Sequence, residues 1–170
     1  MGRMIAENVA SLQKAVAQDF KTASQEYVFE TLAELGEVEF QKSQLKAWME
    51  PVDAPVPQFL AKTGHRARMY REPYGVALVI APFNGPLTLS IRTAPTALAA
   101  RNTCILKLSE TLSATSALVM EPVPKYFDPR AVVAVTGHRG EVGELLKLWT
   151  VADPTPPPPI TVLKRSCERS

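Results

Sequence analysis

Glu72-Pro73-Tyr74-Gly75, then Val76-Ala77-Leu78-Val79-Ile80, then Ala81-Pro82-Phe83-Asn84-Gly85-Pro86 is the stretch whose reading decides the fold. An apolar run leaves a glycine and ends in a turn rich in proline and glycine. It reads as a buried strand, Tyr74 to Ala81, apolar on both faces as parallel sheets demand, with a helix opened by Pro86. A second apolar run, Cys104-Ile105-Leu106, ends in Lys107-Leu108-Ser109-Glu110 and gives a second strand, Thr103 to Lys107. Strand, turn, helix, strand is one βαβ unit, and open α/β sheets bind ligands at the carboxyl ends of their strands.

Downstream, the alternation continues. Pro95 kinks or divides the first crossover helix. Ser113 to Tyr126 reads as the next helix, with Leu118, Val119 and Val123 facing inward and its end weakened by Pro122 and Pro124. Ala131 to Thr136 is a third strand, and Gly140 to Leu148 a short helix with Val142, Leu145 and Leu146 on one side. Upstream, Ile5, Val9, Leu12, Val16 and Phe20 recur at helical spacing. Thr22 or Ser24 can cap a second helix that buries Tyr27, Val28, Leu32, Leu35, Val38 and Leu45. That helix ends near Trp48, because Pro51, Pro55 and Pro57 cannot continue it. His65 to Tyr70 reads as an extended strand that pairs with a neighbour. Its basic residues, His65, Arg66, Arg68 and Arg71, form either an anion site or a solvated face that discourages edge pairing. The fold class is therefore α/β: a partial Rossmann-like parallel sheet with helices, preceded by two N-terminal helices and a β-arm.

Composition narrows the function classes. A chain of 170 residues is one domain by length. A net charge of +2 does not point to nucleic acid. No run of 18 apolar residues exists to span a membrane, and the first ten residues lack a secretory pattern. Cys104 and Cys167 form neither a metal spacing nor a disulfide framework, so the expected location is cytoplasmic and no metal is expected. From Trp149 the character changes: five prolines fall between Asp153 and Ile160, a polyproline II signature, and Lys164 to Ser170 is polar and basic. The expected division is residues 1–148 as the domain and 149–170 as a Pro-rich, flexible tail.

Glu-Pro-Tyr-Gly-Val, Ile-Ala-Pro-Phe-Asn-Gly-Pro-Leu, Ala-Leu-Ala-Ala-Arg-Asn-Thr and Leu-Lys-Leu-Ser-Glu stand here in an order and spacing that resembles the aldehyde dehydrogenase superfamily. The resemblance covers roughly residues 15 to 148, and Trp48-Met49-Glu50-Pro51 is most similar to the class 3 branch. It implies that the strand at 65–70 belongs to an oligomerisation arm. It also implies that the catalytic domain, with its nucleophilic cysteine and general-base glutamate, lies beyond these residues. A frame change, a retained intron or an early stop would each give that pattern.

The candidate site follows. Asn84, in a tight turn at a strand end, can donate to a developing oxyanion or can satisfy its own turn through an Asx-type bond. The resemblance implies the oxyanion role. It also implies that Ile80, Ala81, Pro82 and Phe83 lie against a nicotinamide cofactor, and that Lys107 and Glu110, with Ser109 between them, hold the adenosine ribose. Taken without the resemblance, Lys107 is a solvated lysine and Glu110 a capping-box residue. Gly140 and Gly143, in Gly137-His138-Arg139-Gly140-Glu141-Val142-Gly143, open a helix whose amides can hold an anion.

Three departures from the family pattern point to relaxed or redirected selection. Leu108 stands for the usual proline and Gly85 for a large aromatic. Arg101 stands for a glycine at a left-handed helix end, at a cost of about 1 kcal/mol unless the turn has changed. Cys104 reads as a buried, inert thiol, and Cys167 lies among Lys164, Arg165 and Arg169. His65 and His138 belong to no triad.

Three functions remain open. The first is a truncated aldehyde dehydrogenase-like protein, not a competent dehydrogenase alone, with a vestigial nucleotide or small-molecule cleft. The second is a repurposed isomerase, cyclase or aldol-type enzyme of secondary metabolism that uses Asn84. The third is a non-catalytic partner of a full-length relative. No cofactor is required on this reading, and NAD(P) enters by resemblance only. The expected partners are a small-molecule ligand and a second copy of the chain in a homo-oligomer, most simply a dimer, because a half-built sheet leaves an apolar edge uncovered.

Overall fold

The structure, a computed structural model, describes residues 1–20 and 28–147, with the backbone alone for residues 28–32. Helix α1 (Gly2–Phe20) and helix α2 (Val28–Met49) come first. A two-stranded antiparallel arm follows, β1 (Val52–Ala54) and β2 (Ala67–Met69), with the short helix α3 (Gln58–Ala61) between its strands. Then come β3 (Val76–Ile80), α4 (Pro86–Ile91), α5 (Thr93–Ala99), β4 (Thr103–Lys107), α6 (Ser113–Met120), α7 (Val123–Tyr126), β5 (Val132–Val135) and α8 (Arg139–Lys147). The proposed caps at Thr22 and Ser24, the side chains of Tyr27, Val28 and Leu32, and everything from residue 148 onward lie outside the described residues.

Strands β3, β4 and β5 form one parallel sheet in that order. Val79, Ala81, Cys104, Leu106, Leu108 and Val132 share a core with Met4, Ile5, Leu12, Val16, Val38, Leu87, Ile91 and Ala94, so this face of the sheet carries the helices. Ile5, Leu12 and Val16 are buried, and Val9 and Phe20 pack at the edge of the same core, as their spacing requires. Two polar contacts fix α2 on the crossover helices. Gln41 donates to Thr96 Oγ1 at 2.9 Å, and the carboxylate of buried Glu34 lies 3.7 Å from the Arg92 guanidinium.

Two expectations need correction, and one strand had no reading in the sequence. Val52–Ala54 is a strand although Pro51 and Pro55 flank it, because an arm at the edge of the molecule needs few ladder bonds. The helix expected over 113–126 is two helices. Pro122 and Pro124 supply no amide to continue the first, and it closes at Glu121. β3 is not buried along its whole length: Val76 is 42% exposed, whereas Leu78 and Val79 are buried. Pro95 does divide its helix, with α4 and α5 meeting at Arg92.

β3 pairs only with β4 among the described residues. Thr103 N–H donates to Gly75 O and Ala81 N–H to Lys107 O, both at 2.8 Å. Main-chain groups alternate sides along a strand, so those of Val76, Leu78 and Ile80 point outward, away from the sheet.

The junction of α5 with β4 is closed by a left-handed residue. Arg101 has φ +65°. Its N–H donates to Leu98 O and the N–H of Asn102 to Ala97 O, the two bonds of a Schellman end. The Asn102 side chain accepts from Gly75 N–H at 2.9 Å and so ties this helix end to the start of β3. The glycine-type turn is retained, with an arginine in it.

Candidate functional site

The carboxyl end of the sheet gathers most of the polar residues singled out above. Ile80 and Lys107 are paired neighbours at the last rung of β3 and β4. Leu108 N–H donates to Val135 O at 2.8 Å, which brings the end of β5 alongside. The side chain of Lys107 is only 5% exposed, and its Nζ lies 2.5 Å from Glu110 Oε2. Glu110 is 34% exposed, so the pair has one buried and one wet end. This is neither a solvated lysine nor a capping box, since α6 begins three residues later with Leu112 at its N-cap. The hydrogen bond from Lys107 holds the Glu110 carboxyl below the usual glutamate range, its own backbone amide and the Lys107 charge assist, and the nearby His138 contributes least. His138, which the sequence leaves as a lone histidine, therefore belongs to the surroundings of this pair.

Ser109 is buried and held in the turn: its hydroxyl pairs with that of Thr111 at 2.8 Å, and its carbonyl accepts from Ser116 Oγ at 2.7 Å. In the β3 turn, Ala81 is buried, Pro82 half-buried, Phe83 exposed and Asn84 exposed. The Asn84 amide hydrogen-bonds to no described residue, so the Asx-type turn is absent. Gly85 is buried at the N-cap of α4, and Pro86 occupies its first turn.

At the third strand end, Gly137 has φ +156° and leads into α8. Glu141 Oε2 accepts from His138 N–H at 2.9 Å, so a side chain of the chain itself occupies that amide. Gly140 is exposed in the first turn of α8, whereas Gly143 lies a turn further in. Cys104 stands in the middle of β4, 2% exposed, and burial pushes its thiol up to about 11. Among the described residues no group of three His, Cys, Asp or Glu side chains can hold a metal ion, and no helix is long and apolar enough to cross a membrane.

A buried ammonium braced by a carboxylate offers one donor and one acceptor side by side, which suits a pair of neighbouring hydroxyl groups. The Asn84 amide at the next strand end, without a partner among the described residues, offers a donor. This arrangement sits on a parallel sheet whose profile is that of a known family: the aldehyde dehydrogenase family profile matches residues 1–148. The chain belongs to the aldehyde dehydrogenase family. The match begins at residue 1, so α1 is part of the family unit, ahead of the start near residue 15 that the motifs alone indicate. Human aldehyde dehydrogenase family 3 member B1 is 38% identical over 148 residues, which is 86% of this chain and 31% of that protein. Among solved structures, the substrate-bound state of Staphylococcus aureus AldH superposes with a TM-score of 0.80 at 26% identity, covering 85% of this chain and 31% of that one. Succinic semialdehyde dehydrogenase from Streptococcus pyogenes, solved in complex with NADP+, superposes with a TM-score of 0.74 at 12% identity over the same shares, a likeness of fold. The chain thus spans about a third of the length of the relatives it matches.

Proposed function

We propose that these 170 residues form an aldehyde dehydrogenase-type nucleotide cleft that binds ligand without oxidising aldehydes by itself. The observation that carries this reading is the Lys107–Glu110 pair at the end of β4, 2.5 Å apart and buried at the lysine. A nicotinamide dinucleotide fits the donor set: its ribose diol matches an ammonium beside a carboxylate. When bound, such a cofactor supplies a hydride acceptor. The part of the chain is to orient the diol through Lys107 and Glu110, with Ile80 to Phe83 as the wall at the neighbouring strand end. The described residues offer no activated thiol, since the Cys104 sulfur is buried in the sheet. Isothermal titration with NAD+ and NADP+ tests the binding. Weak, saturable heat that Glu110→Gln abolishes is expected, and no heat at millimolar cofactor removes the reading. Formation of acid and NADH from an aldehyde by the purified chain would remove the claim of incompetence.

The exposed, unpaired amide of Asn84 supports a second reading, a non-redox enzyme in which Asn84 donates to an enolate or other oxyanion beside the space left by Gly85. Unchanged turnover by an Asn84→Ala variant would defeat it. The outward main chain of β3 supports self-association, most simply as a dimer. The measurement is mass by light scattering, and a monomer across the concentration range argues against it.

A further inference from the structure

A cleft lies at the end of the sheet opposite the Lys107–Glu110 pair. It has a volume of about 400 Å³, within the range of small-molecule sites. Trp48 and Met49, at the end of α2, and Ala99 and Ala100, at the end of α5, give it an apolar wall. Two guanidinium-bearing residues, Arg71 and Arg101, one carboxylate, Glu72, and the hydroxyl residue Thr96 line the rest. Phe40 meets the indole edge-on with centroids 6.1 Å apart, and Arg71 Nη1 donates to the main-chain carbonyl of Trp48 at 2.7 Å. Trp48 remains 39% exposed.

Arg101 is the informative residue. It occupies a left-handed position that glycine fills without strain. Strain of this kind is held by the surrounding bonds and clusters at ligand-binding and catalytic sites. Within the described residues the guanidinium of Arg101 makes no hydrogen bond or ion pair. The residue is placed beside an apolar wall. Glu72 offsets one of the two cations, which leaves a single net positive charge.

We propose that this cleft binds a small amphipathic monocarboxylate, with the apolar body against Trp48 and Met49 and the carboxylate on Arg101, assisted by Arg71. The site is separate from the Lys107–Glu110 pair and does not depend on the reading given to it.

The test uses the 170-residue chain carrying Trp149→Phe, so that indole emission reports Trp48 alone. Octanoate and the neutral octanamide are the probes, followed by tryptophan fluorescence and calorimetry. Octanoate is expected to shift the emission saturably and to bind about tenfold more tightly than octanamide, the scale of one charge-assisted contact. Arg101→Gly relieves the strained turn and so leaves the fold intact, as its thermal midpoint verifies. It is expected to erase the preference for octanoate, and Arg101→Lys to keep part of it. Equal binding of the two probes, unchanged octanoate binding by Arg101→Gly, or no emission change with either probe at millimolar concentration overturns the proposal. NAD+ titration of Arg101→Gly is expected to match the parent, which keeps this outcome distinct from any failure at the other end of the sheet.

Discussion

Asp19 Oδ2 lies 2.8 Å from the amide nitrogen of Thr115, 96 positions further along the chain. Asp19 Oδ1 also accepts from Ala114 N–H at 3.2 Å. Leu112, the N-cap of α6, offers no side-chain acceptor, so the last turn of α1 supplies it from a distance. A carboxylate here both satisfies orphan amides and faces the positive end of the helix dipole. Asp19→Ala is expected to lower stability by about 1–2 kcal/mol, with Asp19→Asn retaining roughly half of the contribution. Urea unfolding followed by circular dichroism measures both, and an unchanged midpoint in Asp19→Ala would show that water serves α6 equally well.

Arg101→Gly is expected to stabilise the chain. Relief of the left-handed backbone, about 1–2 kcal/mol, exceeds the extra freedom glycine gives the unfolded chain, leaving about 0.5–1 kcal/mol. The corresponding rise in thermal midpoint is about 2–3 °C for a domain of this size. A fall in the midpoint would mean that the guanidinium contributes more to the fold than its surroundings indicate.

The Lys107–Glu110 pair gives a pH signature. The hydrogen bond from Lys107 holds the folded Glu110 carboxyl below its ordinary value, to which it returns on unfolding. The contribution of the pair is thus fully present above the unfolded value and is lost as pH falls through the folded one. Glu110→Gln is expected to cost about 1 kcal/mol near neutrality, an exposed carboxylate moderating the loss of a buried partner. The gap between parent and variant closes as the solution is acidified below pH 4. A gap of constant size down to pH 2 would contradict the assignment.

Cys104 is expected to resist a thiol reagent. In a Cys167→Ser background at pH 8, labelling proceeds only as fast as the sheet opens, and urea accelerates it, because the buried thiol titrates at about 11. Stoichiometric labelling within seconds under native conditions would show an accessible sulfur.

The sheet was legible in the sequence because its signals are local. The apolar runs at 76–80 and 104–106 end in polar residues, Pro86 opens its helix, and Pro95 divides the crossover. The left-handed turn at 101 was also legible, since the question was which residue occupies a known turn. What escaped depends on distant partners. Nothing adjacent to Asp19 in sequence marks it as a cap for α6. Lys107 and Glu110 are three apart, yet the burial of the lysine follows from the packing of β3 and β5 around it. The arm strand at 52–54 was hidden by prolines that an edge position tolerates. Glu141, read as part of a glycine turn, closes that turn with its own carboxylate.

The outer flank of β3 has a consequence for handling the protein. Three main-chain rungs face outward on a strand of five consecutive apolar residues without a charge or a proline to blunt them, the pattern on which identical strands stack. Among the described residues nothing covers this flank, so loss of protein from concentrated solution is expected to start there. A single Val76→Lys substitution at the exposed end should slow that loss while leaving the melting point where it was.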